Sequence, residues 1–118
     1  MGAGNSGLFN GTKGGKRTKD GLPLTVNKDK QNKHIKGSRN FKQGKSEITI
    51  SQTECQKLVE QYSGKGIKIG NKERVDFKVV IGVFVDRDGN KGYTTVGMIH
   101  YSKTGVHIVP SRPLNWED

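Results

Sequence analysis

Hydrophobic and polar positions alternate most regularly in the last third of the chain, and that alternation sets the expected fold. Val75 to Val85 reads as one strand, with Phe77, Val79, Ile81, Val83 and Val85 on a single face. Arg87-Asp88-Gly89 suits a three-residue hairpin loop, a type I turn closed by a left-handed glycine. That register pairs Asp86 with Asn90, sets Ile81 opposite Thr95, and puts Ile99 and Tyr101 on the core face. His100 then falls on the opposite face, near Asp76 and Lys78. A second hairpin runs from Thr95 to Pro110 and turns at Thr104-Gly105, with Pro110 and Pro113 ending its last strand. The expected sheet is a three-stranded antiparallel meander.

Helical spacing is clearest after Ser51. Ser51-Gln52-Thr53-Glu54 forms a capping box that starts a helix running to about Tyr62, stopped by Ser63-Gly64. Cys55, Leu58, Val59 and Tyr62 share one face of it, which packs on the sheet, so Cys55 reads as a small core residue. A shorter helix is expected over about 28–36, ended by Gly37, with extended pieces at Glu47–Ile50 and Ile67–Ile69. Residues 1–27 hold seven of the 17 glycines among small polar residues and read as a disordered linker or tail. Only Leu8-Phe9 and Leu22-Pro23-Leu24 offer it anchors. Residues 28–118 are then the folded domain, α+β, with helical segments packed on a small antiparallel sheet.

Charge sharpens this picture. The chain of 118 residues carries a formal net charge of +10, unevenly spread. Residues 1–45 hold eleven Lys or Arg against two acids, whereas residues 46–118 hold ten against nine. Seven cations and His34 fall within residues 28–45, which makes that arm the expected phosphate-facing segment. A single cysteine excludes an internal disulfide, and no apolar run is long enough to span a bilayer, so no membrane association is expected.

The second hairpin carries two of the three histidines, and its register decides whether they can act together. A loop of two or four residues places His100 and His107 on the same face, with Ser102 beside them. A loop of three separates them. No metal-binding spacing, P-loop or dinucleotide fingerprint is present, and no cofactor is expected. What remains is histidine, lysine, serine, threonine and tyrosine on a basic background. That set suits cleavage of RNA without a metal, in which the 2′-hydroxyl attacks its own phosphate to leave a 2′,3′-cyclic end. Histidine supplies acid and base near neutral pH, and lysine stabilises the crowded phosphorane. The acid–base candidates are His34, His100 and His107, with Lys45 and Lys103 as phosphate stabilisers. Ser102, Thr95 and Tyr101 are candidates to orient the phosphate or a ring, Lys36 to bind substrate, and Glu73 to act as base or orienting partner. A non-catalytic nucleic-acid-binding module and a protein-interaction domain using the basic arm fit the same composition.

Lys33-His34-Ile35-Lys36-Gly37-Ser38, Gly44-Lys45-Ser46, Lys72-Glu73 with Val75-Asp76, and Ile99-His100-Tyr101-Ser102-Lys103 with Val106-His107-Ile108-Val109-Pro110 together resemble the bacterial toxin 50 family, also called polymorphic toxin type 50. The resemblance covers about Lys30 to Pro113. It implies a ribonuclease toxin domain with the fold shared by barnase, EndoU, the tRNase colicins and RelE. It further implies a C-terminal warhead on a larger secreted or phage-associated parent protein, N-terminal to residue 1. Such a domain acts in the target-cell cytoplasm and is neutralised by a cognate, acidic immunity protein. His34, Lys45, His100, Ser102, Lys103 and His107 are the site residues the resemblance favours. Ser38 stands where the family usually has Thr, and the hydroxyl is kept.

Overall fold

A computed structural model of the chain describes residues 16–35 and 45–116. Among these residues two short antiparallel sheets and two helices make up an α+β domain. The helices are α1 (Lys28–Asn32) and α2 (Gln52–Tyr62). One sheet joins β1 (Glu47–Ile48), β4 (Gly82–Val85) and β5 (Lys91–Thr94) in the order β1-β4-β5. The other joins β2 (Ile67–Ile69), β3 (Lys72–Asp76), β6 (Val96–Ser102) and β7 (Gly105–Pro110) in that order.

The first hairpin has the expected register, with Val85 paired to Lys91 and Asp86 N–H donating to Asn90 O. Gly89 closes it at φ 86°. The expected single strand from Val75 to Val85, however, is broken. Asp76 accepts from the Lys78 N–H and from the Thr95 hydroxyl, and Lys78 takes φ 66°, a left-handed conformation that no strand sustains. Val79 and Val80 loop out at 51% and 47% exposure, while Phe77 and Ile81 return to the core. Their N–H groups both bond to the corner at Thr94 and Thr95. The meander is thereby replaced by two sheets that share this corner, and β6 pairs with β3 so that His100 faces Lys72 rather than Asp76 or Lys78.

Ser51 and Glu54 cap α2 reciprocally, as the motif requires. Cys55 and Val59 are fully buried on its inner face, and Tyr62 meets Phe77 edge to face at 5.5 Å. Burial pushes the Cys55 thiol up to about 12, which fits packing rather than nucleophilic chemistry. Around these the core gathers Ile48, Val75, Ile81, Ile99, Val106 and Ile108.

The packed chain reaches back past the expected boundary at residue 28. Leu24 and Val26 are 7% and 8% exposed and belong to the core. Val26 bridges Val106 in parallel, Val106 N–H donates to Thr25 O, and Asn27 N–H donates to Val106 O. The Gln56 side chain holds the same segment from the helix side, bonding Val26 N and Leu24 O. Gly105 permits the approach, because a Cβ there would sit 2.5 Å from Thr25 O. Residues 24–27 therefore cover the outer edge of β7, satisfying backbone groups that an open edge would expose.

Candidate functional site

Alternation divides the side chains of β6 between two faces. Ile99 and Tyr101 are buried in the core, and Met98, His100 and Ser102 are half-buried on the other face. The loop to β7 has two residues, Lys103 and Thr104, because Ser102 pairs with Gly105. This is a register that keeps the two histidines on one face, and His100 stands directly across from His107. Lys72 of β3 pairs with His100 on the other flank, so Lys72, His100 and His107 form a row across three strands.

The third imidazole arrives through α1. Asn27 caps this helix with its side chain and ties it to Thr104 O. Gln31, fully buried, then behaves like one more rung of the sheet. Its Nε2 donates to Ile108 O at 2.8 Å and its Oε1 accepts from Ile108 N at 2.7 Å. The next turn delivers His34, whose carbonyl accepts from Ile48 N–H. The expected helix over 28–36 ends sooner, at Asn32, and Gly37 lies outside the described residues. The His34 ring stacks on His107 with centroids 5.9 Å apart and planes 10° from parallel. His107 in turn meets His100 at 4.6 Å with a 36° tilt. Among the described residues no group of three His, Cys, Asp or Glu side chains has a geometry that could hold a metal ion.

The electrostatics of this cluster are one-sided. All three imidazoles are held below their usual range, and burial is the largest cause in each. Lys45 and Lys33 depress His34 further, and Lys72 and His34 depress His100. His107, in the middle, is lowered to about 4 by burial, then by His100, His34, Lys30 and Lys33. Among the described residues the one opposing effect is a hydrogen bond between the His34 ring and the Ser46 backbone. The His34 Nδ1 is buried without a hydrogen-bond partner. Among the described residues no carboxylate acts on any of the three rings.

The remaining candidates divide. Lys45 is exposed and acts on His34. Ser102 lies on the histidine face, where its hydroxyl donates to Gly105 O and accepts from Lys30 Nζ. Lys103 is exposed in the turn and is not among the charges acting on the rings. Thr95 is at the far end of β6, roughly 16 Å along the strand at ~3.3 Å per residue, and its hydroxyl is bound to Asp76. Tyr101 and Glu73 are both buried on the core side of the sheet, away from His100. Glu73 accepts from the Tyr101 hydroxyl and from the Gly64 and Gly66 N–H groups, which pins the α2–β2 loop. Burial, then the bond to Glu73, pushes the Tyr101 hydroxyl up to about 12. The cavity beside Tyr101, about 490 Å³, sets Arg17, Lys19 and Lys68 against Asp20, Glu60 and Glu73, so no net charge favours an anion there. Lys36 lies outside the described residues.

Three lysines near the rings were not among the site residues proposed from sequence: Lys30, Lys33 and Lys72. Lys30, Lys33 and His34 are spaced i, i+3, i+4, which marks one side of a helical turn. Lys72 sits beside Glu73 in the same motif, and strand alternation gives the lysine to the histidine face and the glutamate to the core. A family model described as bacterial toxin 50 matches residues 26–110. No curated protein matches the chain.

Proposed function

Because this chain belongs to the bacterial toxin 50 family, and because three of its imidazoles meet among lysines, we propose that it is an endoribonuclease toxin domain. The observation that carries the reading is the composition of the cluster. His34, just after α1, stacks on His107, which meets His100 at a tilt across the β6–β7 hairpin, and among the described residues every side-chain charge acting on the three rings is positive. The lysine ammonium groups gathered around the rings repel one another, and a polyanion laid across them relieves that repulsion.

In the resting protein the depressed rings are neutral near pH 7, the form a general base requires. One ring takes the proton of the ribose 2′-hydroxyl as it attacks the adjacent phosphorus. The arriving phosphate adds negative charge beside rings whose cationic form the lysines had disfavoured, and so raises the affinity of a second ring for a proton. That ring protonates the departing 5′-oxygen, leaving a 2′,3′-cyclic phosphate. Lys33, Lys45 and Lys72 surround the rings and offset the charge that builds on the phosphorane. His100 and His34, on either side of His107, are the acid and base, and His107 holds them apart. The 2′-hydroxyl is the nucleophile, so DNA would bind uncut.

The helix-on-antiparallel-sheet arrangement is compatible with kinship to barnase, EndoU, the tRNase colicins and RelE, which the family resemblance implies. On that resemblance the domain is delivered by a larger parent protein and acts in the target-cell cytoplasm. An acidic immunity protein covering the lysine-rich face would silence it. Among the described residues no helix is long and apolar enough to cross a membrane.

Incubating total RNA and purified tRNA with the protein, with and without excess EDTA, and mapping the ends tests the activity. Cleavage with 2′,3′-cyclic phosphate ends, lost in His34→Ala and His100→Ala, is expected. Intact RNA with a folded protein, or unchanged cleavage in both variants, would refute it. Salt-sensitive binding without product would instead identify a binding module.

A further inference from the structure

Beside the imidazoles, at the tip of the β6–β7 hairpin, lies a second group of side chains with anion-binding chemistry. Lys30 Nζ is 3.3 Å from Ser102 Oγ and 3.2 Å from Thr104 Oγ1, and the two hydroxyls are 3.0 Å apart. Ser102 already gives its proton to Gly105 O. The Lys30 ammonium has three protons and spends two on these hydroxyls, leaving one to donate. The Thr104 hydroxyl can rotate to donate outward as well. Among the described residues the ion pairs are Lys16–Glu60 and Lys78–Asp76, so the Lys30 charge is met by hydroxyls and by no carboxylate.

The position of this group relates it to the proposed reaction. Ser102 follows His100 by two residues on the same face of β6, which is ~6.6 Å along a strand. That is comparable to the spacing of successive phosphates along a single RNA strand. Lys30 also lies close enough to His107 to act on its charge. We infer that Lys30, Ser102 and Thr104 form a phosphate subsite that grips the phosphate one nucleotide away from the scissile one. The inference rests on the ribonuclease reading of the histidine cluster, and it narrows the substrate class. The ligand is a strand bearing at least two consecutive phosphates, and a dinucleotide with a single phosphate leaves the subsite empty.

The experiment separates the two claims by measuring binding and cleavage apart. Binding is measured with a 2′-O-methyl dinucleotide, which cannot be cleaved, without and with an added 5′- or 3′-terminal phosphate. In the wild-type protein one of the two phosphorylated forms is expected to bind on the order of tenfold tighter than the unphosphorylated one, as for a charge-assisted hydrogen bond. In Lys30→Met, which keeps the methylene stem, that ratio falls to near one. In Thr104→Val it falls part of the way. With longer RNA, Lys30→Met lowers the slope of log affinity against log salt by about 0.7, the loss of one phosphate contact on a single strand. No increment from either terminal phosphate in the wild type, or the same increment in Lys30→Met, overturns the subsite. The 2′-hydroxyl counterparts then report cleavage. If the increment is present and nothing is cleaved, the subsite stands and the ribonuclease reading fails. If cleavage occurs without an increment, the reverse holds.

Discussion

Replacing Gln31 by Leu tests how the third histidine is held. The side chain is fully buried and makes both of its hydrogen bonds to the backbone of one residue, Ile108. Leucine has a similar volume, so the packing is largely kept while the two bonds are removed. Ile108 is then left with a buried N–H and a buried C=O without partners. Each orphaned group costs about 1–3 kcal/mol, so the loss is roughly 2–6 kcal/mol before relaxation. Water reaching the loosened edge of β7 reduces this, and about 2–4 kcal/mol is expected from urea unfolding. That is a large share of the ~5–15 kcal/mol that typically holds a domain together. The same substitution frees α1 from β7 and so moves His34, Lys30 and Lys33 away from His107. The His107 imidazole, lowered to about 4 in the intact cluster, should then titrate at higher pH in the folded variant, as read by NMR. A general loss of stability would not move that value. If unfolding shifts by less than ~0.5 kcal/mol and His107 titrates as before, Gln31 is not what docks the helix.

The other expectations are briefer. All three imidazoles have depressed values, so the unfolded chain binds more protons than the folded one as pH falls below the ordinary histidine range. Stability should therefore drop between about pH 6.5 and pH 4. From His107 alone the full shift is roughly 3 kcal/mol, which solvent screening at a half-buried ring reduces to about 1–2 kcal/mol. Urea midpoints that stay flat across that window would contradict the cluster. Tyr101→Phe removes bonds to Glu73 and Ser63 and should cost about 1–3 kcal/mol, while RNA cleavage well below the unfolding temperature persists. A hundredfold loss of cleavage would put the hydroxyl back in the site. Gly97→Ala forces a Cβ to within 2.7 Å of Ile81 Cδ1 and 2.9 Å of Ile108 Cγ2. Overpacking of this kind should destabilise by about 1–3 kcal/mol, and a thermal midpoint equal to the wild type would show that the core yields there.

What could be read from sequence was what side chains encode directly. Alternation from Thr95 to Pro110 gives the faces of β6 and β7, and Arg87-Asp88-Gly89 gives a register that the structure keeps. The break after Asp76 was not legible, because Phe77, Val79 and Ile81 continue the apolar period without interruption. The Asp76 side chain captures the Lys78 N–H and ends the strand locally, so that Phe77 and Ile81 can both bond the corner of β5 and β6. Tyr101 was legible as a core residue from its strand phase even while its chemistry made it a site candidate, and Glu73, a candidate by chemistry alone, is sent to the core by the phase of β3. Leu24 was legible as an anchor, but the packing of Val26 and the place where both dock were hidden for another reason. Their segment joins the fold through backbone bonds to β7, and a glycine-rich composition says nothing about which sheet edge lies open to receive it.

The hairpin of β6 and β7 thus does two things with one alternation. Ile99, Tyr101, Val106 and Ile108 build the core, and His100 and His107 share the reverse face. A strand pair holds two imidazoles in fixed register on one rung, and a third ring stacked on the outer flank of His107 must come from beyond the edge strand. The chain meets this limit at the outer edge of β7, where residues 25–27 pair as backbone and Gln31 completes the ladder with a side-chain amide. Lys33 and His34 follow directly on this contact, and the Ile48 N–H holds the His34 carbonyl from the other side. The charge of Lys30 and Lys33 is therefore tied to the same edge contacts as the position of His34. Loosening them moves His34, Lys30 and Lys33 away together while the row of Lys72, His100 and His107 stays in register, so the stacking of His34 and part of the affinity for a polyanion should fall as one quantity.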